Sequence, residues 1–369
     1  MFKKYPIIKK SLLFLVSILV ILICFGFWFV SLLPSTDKSL ESTNINDLPY
    51  LSKNIIPTKG KILAVVTSTK TIGNSGKKTG YELTELSRAY YVFKANGFNV
   101  DVASTLGGKP KVIIDDDDMG AFDFAFLNDT IAQQKTNNTI AIKDVIADNY
   151  DAIYFVGGKG AMFDFPNNKS IQNIVKNYYE SNKVIGAVCH GPAALVNVKL
   201  NNGKHLLENK SVSGFTNEEE LLLIPEAKSI FPFLLQEKLT AQGANFNKGE
   251  MYLEQVSHDK NLITGQNPWS TWALAEKMIE QLGHKPKKRT ITAEENAVHI
   301  LSIYNKQGKQ KAKNAIKKMI LTENKSVDRM LLAQHTIVSV MKVEISNFFG
   351  ILSLLSFTKS CDSEINKIN

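Results

Sequence analysis

Cysteine is scarce in this chain of 369 residues: there are three, Cys24, Cys189 and Cys361, with no CxxC pair and no Cys/His cluster at metal-ligand spacing. Cys24 lies inside an apolar run where a partner thiol is not expected, so a disulfide framework and a structural zinc site are both excluded. No internal repeat is evident, which sets aside solenoids and propellers. Acidic residues are outnumbered, 35 against 44 Lys and Arg, for a net charge of +9. The excess is not spread over the chain: residues 284–330 carry 12 basic and 4 acidic side chains, and the first ten residues add four lysines. The remaining body is therefore slightly acidic, and a nucleic-acid partner is not expected. Hydrophobic residues make up 44% and charged residues 21%, which is the balance of a folded protein.

Charge is also missing from Ser11 to Leu33, 23 consecutive residues and long enough to cross a bilayer. A cleaved secretion signal would have a shorter apolar region and small residues at its end, whereas this run ends Phe27-Trp28-Phe29-Val30. A lipoprotein reading of Cys24 fails because Ile23 stands where a small residue is required. Four lysines precede the run and few charges follow it, so the expected topology is a cytoplasmic N-terminus (1–10), a membrane anchor (11–33) and an extracytoplasmic main domain. Residues 34–58, rich in Ser, Asn, Thr and Pro, read as a linker.

From 59 to 283 the chain alternates between two periodicities. Lys61–Thr67 is a short aliphatic and β-branched run of the kind buried on both faces of a parallel sheet. Residues 81–95 place Leu83, Leu86, Tyr90 and Phe93 at helical spacing, with Gly97 as a stop signal. Residues 98–103, 152–156 and 184–188 return to strand character, with a helix around 171–179 between the last two. The predicted fold class is α/β: a doubly wound, mostly parallel, flavodoxin-like sheet with its chemistry at the strand ends. A helical C-terminal extension, 284–369, follows. Its helices are expected over 293–304 and 312–321, and the lysines of the second form a basic face, either simply solvated or facing anionic lipid.

Val184-Ile185-Gly186-Ala187-Val188-Cys189-His190-Gly191-Pro192-Ala193-Ala194-Leu195 compresses a strand, a sharp turn and a helix start into twelve residues. That is a nucleophile elbow, with Cys189 in the turn, small residues allowing the bend, and Pro192 in the first helical turn. The helix start and His190 are expected to favour the thiolate. Gly158 and the backbone N–H of His190 are candidates for an oxyanion hole, and Gly157 belongs to the same glycine turn.

The elbow AVCHGPAAL resembles that of the ThiJ/PfpI family, part of the class I glutamine amidotransferase-like superfamily. Thr79–Glu85 (TGYELTE), Gly157–Asp164 (GGKGAMFD), Ser213–Thr216 (SGFT) and Thr264–Pro268 (TGQNP) are similar to further motifs of that family, in order, over about 220 residues. KTGYELTE and GFTNEEE point to its larger branch, which contains stress-associated chaperones and glutathione-independent glyoxalase III proteins. The resemblance implies a catalytic Cys189 with His190 as base, Glu85 as the acidic residue beside the thiol, and Glu220 as the third member of a triad. An exposed acidic helix start remains the competing reading for Glu220, and Glu82 reads as solvent-facing. Two departures stand out. Lys159 occupies a position where the family usually carries histidine and places a fixed cation at the pocket rim, and Arg88 replaces another histidine and so removes a metal ligand. No metal and no cofactor are expected.

The implied activity is conversion of a small reactive 2-oxoaldehyde such as methylglyoxal to a hydroxy acid without glutathione. The alternatives are a cysteine amidase or peptidase of the same superfamily, or a non-catalytic stress holdase or redox sensor; Glu85 separates them, because only the carbonyl chemistry needs it as a proton shuttle. The expected partners are a small-molecule carbonyl, the membrane through the N-terminal helix, and a second copy in a homodimer.

Overall fold

A computed structural model describes residues 6–35, 38–52, 58–115 and 119–368. Parts of the expected N-terminal segment (1–5) and of the expected linker (36–37 and 53–57) lie outside the described residues. The chain forms two compact units, Asp37–Thr290 and a second made of Met1–Thr36 with Ile291–Asn369.

The second unit opens with helix α1, Pro6–Leu32, the single helix among the described residues that is long and apolar enough to cross a membrane. Its apolar side chains are largely exposed from Leu12 to Val30.

The first unit is built on seven strands: β1 (Gly60–Val66), β2 (Phe98–Ser104), β3 (Ile140–Ala141), β4 (Ala152–Phe155), β5 (Val184–Val188), β6 (Val256–Asp259) and β7 (Leu262–Gly265). They lie in the order β6-β7-β5-β4-β1-β2-β3, and every pairing is parallel except β6 with β7. Ile62–Val66 and all of β4 and β5 are buried, which is why these strands read as continuous apolar runs rather than alternating ones. The chain leaves β1 towards β2 and later returns to β1's other side at β4. This reversal opens a crevice at the carboxyl ends of the strands, where ligands bind in open α/β sheets.

Helices cover both faces. Helix α2 (Leu83–Ala95) is buried at every position but Lys94. It starts two residues later than the periodicity predicts because Tyr81–Glu82 pairs as a short strand with Val112–Ile113, and Glu82 N–H donates to Gly157 O at 3.3 Å. Helix α3 (Lys169–Glu180) buries Ile171, Ile174, Val175 and Tyr178, an i, i+3, i+4, i+7 stripe, each aliphatic side chain contributing roughly 1.5–3 kcal/mol. Asn168 caps it by accepting from Ile171 N–H at 3.2 Å, worth about 1 kcal/mol over alanine. Helices α4 (Asn217–Leu223) and α5 (Thr271–Gln281) complete the elements used below. Residues 38–52, read as linker, are in large part helical: Leu48, Tyr50 and Leu51 join the hydrophobic core, and Tyr50 stacks edge-on against Phe122. Three apolar side chains in a polar stretch are enough to anchor it, a signal that average composition hides.

The C-terminal part of the second unit has four α-helices among the described residues, α6 (Ala293–Gln307), α7 (Lys309–Lys317), α8 (Arg329–Met341) and α9 (Ile345–Ile368), with a π-helical turn, Lys318–Thr322, continuing from α7. Thr292 and Glu295 form a capping box at the start of α6, and Gly308, at φ 84°, turns the chain into α7. Within this unit α1 is tied to the bundle. Arg329 Nη1 donates to Leu32 O at 2.7 Å, Lys359 Nζ donates to Ser31 O at 2.6 Å, and Phe25 lies 6.3 Å from Phe348, ring centre to ring centre.

Candidate active site

The site forms where β4 and β5 end side by side. β5 runs into Cys189, whose φ of 58° places a non-glycine residue in the left-handed region, and Gly191–Leu195 follows as a single 3-10 turn. Cys189 N–H donates to Gly265 O and its carbonyl accepts from Phe215 N–H, so both backbone groups are held. The strained conformation aims the thiol into the crevice, as an elbow does.

Two side chains face the sulfur, His190 and Glu85. His190 Nδ1 lies 3.3 Å from Sγ, and its Nε2 lies 2.6 Å from Glu220 Oε2. Glu220, on the first turn of α4, is buried. Burial alone would raise its carboxyl, but the charge and hydrogen bond of His190 outweigh it and hold Glu220 below the usual carboxylate range. An ionised Glu220 accepts the Nε2 proton and leaves Nδ1 facing the thiol. Phe215 and Phe231 flank the imidazole, with ring centres 4.6 and 6.4 Å away, and restrict its rotation.

Glu85, on the first turn of α2, is completely buried; its Oε2 accepts from Gly157 N–H at 2.7 Å, while Oε1 has no hydrogen-bond partner among the described residues. Burial, reinforced by the charge of Glu82, pushes this carboxyl well above its ordinary value and so favours its neutral form. Gly157 separates the two reacting groups: a methyl group there would sit 2.5–2.8 Å from Glu85 Oε2, Val188 O and Cys189 Cβ, which only glycine avoids. Gly158 follows at φ 105° with its Cα against the backbone of Gly80 and Tyr81, where again no side chain fits. The N–H groups of Gly158 and His190 donate to no acceptor among the described residues, although both residues are buried. Unpaired buried N–H groups are costly unless something else accepts from them, and a substrate oxygen would.

Of the residues singled out from sequence, Cys189, His190, Glu220, Glu85, Gly157 and Gly158 meet in this crevice. Lys159 is half-buried beside them. Its charge acts on Glu85, Cys189 and Glu220, and its ammonium forms no hydrogen bond or ion pair among the described residues. Arg88 is a structural residue, ion-paired with Asp123 at 3.2 Å and stacked over Trp269.

Two expectations need correction. The thiol is not held below its ordinary value: burial, then the charges of Glu85 and Glu82, push Cys189 well above it, and Lys159 opposes them only in part. The helix after the elbow is one 3-10 turn, too short for a dipole able to offset full burial. Glu82 is also not a solvent-facing side chain; it is half-buried, and its charge reaches both Glu85 and Cys189.

The acidic cluster after Thr216 divides by role. Glu219 closes a capping box with Thr216 and accepts from Tyr252 N–H, Gln266 and Asn267, while Glu218 is exposed and pairs with Lys248. Thr216-x-x-Glu219 was a readable capping signature, and it leaves Glu220 one position further round the helix, facing His190. Phe215 stood within the SGFT motif with no role assigned to it, and Phe231 carried no sequence signal of its own.

The DJ-1/PfpI family pattern matches residues 77–281. A glutathione-independent glyoxalase of Schizosaccharomyces pombe is 31% identical over 217 residues, covering 56% of this chain and 90% of its own length. Another, from Saccharomyces cerevisiae, is 32% identical over 247 residues, covering 60% and 98%. Among solved structures, the 24 kDa rapid encystment protein of Francisella tularensis has a TM-score of 0.57 at 37% identity, covering 60% of this chain and 99% of its own. Glyoxalase III of Candida albicans has a TM-score of 0.55 at 27% identity, covering 60% and 97%. With its family pattern covering more than half of its length and its elbow, glycine turn and buried carboxyl in one crevice, the chain belongs to the DJ-1/PfpI family.

Proposed function

We propose that this protein converts a small 2-oxoaldehyde to the corresponding 2-hydroxy acid at Cys189, without glutathione, metal or cofactor, while tethered to a membrane by α1. What carries this reading is the fully buried Glu85 beside the thiol, whose neutral form burial favours, because hydrolysis of an amide needs the thiol and its base but has no use for a second carboxyl of this kind.

The thiol rests protonated, so activation is a proton transfer during attack: His190 takes the thiol proton as Sγ adds to the aldehyde carbon, and Glu220 stabilises the imidazolium. The N–H groups of Gly158 and His190 receive the developing oxyanion, and Glu85 gives it a proton to complete the hemithioacetal. Glu85, now a carboxylate, takes the proton from that carbon and returns it to the neighbouring one, while the hydroxyl proton passes between the two adjacent oxygens. The product of this isomerisation is a 2-hydroxy thioester on Cys189. Glu85, again a carboxylate, takes a proton from the water that adds to the thioester carbonyl, and the His190 imidazolium returns its proton to the departing Sγ, so that the C–S bond breaks, the hydroxy acid leaves, and the thiol, the neutral imidazole and the protonated Glu85 are all restored. The net reaction adds one water and needs no external oxidant or reductant.

The uncharged length of α1 and the lysines that precede it support a location with the N-terminus in the cytoplasm and the α/β unit on the other side. The test uses the full chain in detergent with methylglyoxal or glyoxal, without glutathione and with chelator present. Hydroxy acid should form, and Cys189→Ala should abolish it. If neither the wild type nor Lys159→His consumes a 2-oxoaldehyde while an amide or peptide substrate is cleaved, the triad is that of a hydrolase.

A further inference from the structure

The α6–α9 bundle has one end unlike the rest of its surface. At the turn between α8 and α9, Ile337, Val340, Met341, Val343, Ile345 and Phe349 are all at least half exposed. From Met330 to Thr358 the acidic and basic side chains other than His335 are Lys342 and Glu344, which pair with each other at 2.7 Å. The backbone of the turn is also satisfied: Lys342, Val343 and Glu344 N–H groups donate to Val338, Val340 and Ser339 carbonyls. An exposed apolar tip with its charges and amides paired internally is adapted to a medium poorer in hydrogen bonds than water.

The neighbouring turn, between α6 and α7, carries the opposite chemistry at the same end. Tyr304 Oη donates to Asn347 Oδ1 at 3.3 Å and so fixes the last turns of α6 beside the start of α9. Just beyond it Lys306, Lys309 and Lys311 are exposed, in a stretch from Asn296 to Thr322 without an acidic residue.

Helix α1 says what covers this end. It runs alongside α9, with Ser31 and Leu32 held by Lys359 and Arg329, and Phe25 against Phe348 near the tip. At 1.5 Å per residue Phe25 lies roughly 10 Å along α1 from its outer end, which for a helix that spans is within the acyl region of the outer leaflet.

We infer that this end of the bundle docks into the leaflet from which α1 emerges, with the α8–α9 turn entering the upper acyl region and Lys306, Lys309 and Lys311 contacting anionic phospholipid headgroups. The inference rests on the reading of α1 as a membrane span. Apolar insertion of about 5–10 Å combined with lysines that reach back to the phosphates is the established pattern of interfacial binding. The unit is then held to the bilayer at a second place, which limits rotation about α1.

The experiment uses the full chain in vesicles of phosphatidylcholine and phosphatidylglycerol with an environment-sensitive fluorophore on one of two cysteines. One is the native exposed Cys24; the other is Val343→Cys in a Cys24→Ser background, Cys189 and Cys361 being buried. Quenching of both labels by lipid carrying a spin label near the headgroup end of the chain is expected. For position 343 it should fall when Lys306, Lys309 and Lys311 are changed to Glu, or when phosphatidylglycerol is omitted. A label at 343 that stays accessible to aqueous iodide while Cys24 is lipid-quenched overturns the docking and leaves the anchor standing. Protection from both iodide and lipid would assign the tip to a second copy and overturn it too, as would quenching indifferent to anionic lipid. If the Cys24 label is not lipid-quenched, it is the anchor reading that fails.

Discussion

Replacing Glu85 with Gln tests the buried neutral carboxyl by stability and by catalysis at once. In the wild type, burial raises the folded-state value well above the ordinary 4.5. The stability associated with this group is therefore fully present below that ordinary value and is lost as pH rises towards the folded one, because the unfolded chain releases a proton that the folded chain keeps. Through that window the loss runs at about 1.4 kcal/mol per pH unit. Glutamine has nearly the same shape, can still accept from Gly157 N–H, and has no proton to lose. The stability of Glu85→Gln relative to wild type should therefore grow with pH at up to that slope, starting near 4.5, and level off where the folded carboxyl ionises. Denaturant titrations of the full chain in detergent between pH 4 and 9 would measure it, read by the fluorescence of Trp269 and Trp272 in the α/β unit. The same variant should lose about 10²–10⁴-fold in turnover of methylglyoxal, the usual effect of removing a general acid/base. A stability difference independent of pH would mean that Glu85 ionises alike in both states, and the proton shuttle would have to be abandoned.

Gly157→Ala should reduce turnover far more than stability alone explains, since its methyl group drives Glu85 and Cys189 apart; comparing its residual activity with that of Cys189→Ala at equal folded fraction is the check. Glu220 behaves oppositely to Glu85: its folded-state value is depressed, so its contribution is present above about 4.5 and lost as pH falls through the folded value. The stability advantage of wild type over Glu220→Gln should accordingly shrink on acidification, followed by the same titrations. Alkylation of Cys189 by iodoacetamide should rise with pH only above the ordinary thiol range, because burial opposes the thiolate; an inflection below about 8.5 would show a resting thiolate and contradict the activation step proposed for His190.

Much of the site was legible because its chemistry is local. Val184–Leu195 encodes strand, bend and turn in consecutive residues, and the bend needs only small side chains and a tolerated positive φ at Cys189. The alternation of buried strands and amphipathic helices from Lys61 onward is likewise a property of nearest neighbours, as is the uncharged run of α1. Tertiary structure decided whatever depends on environment. Glu219 and Glu220 are chemically alike in sequence, yet one caps α4 while the other faces His190, a matter of 100° around a helix whose placement is set by packing. Whether Cys189 and Glu85 hold their protons follows from desolvation by the whole α/β unit, which no motif records and which reversed the direction expected for the thiol. The apolar tip at Val343 was invisible for the same reason: exposure is the absence of a neighbour, and neighbours distant along the chain are known only after it has folded.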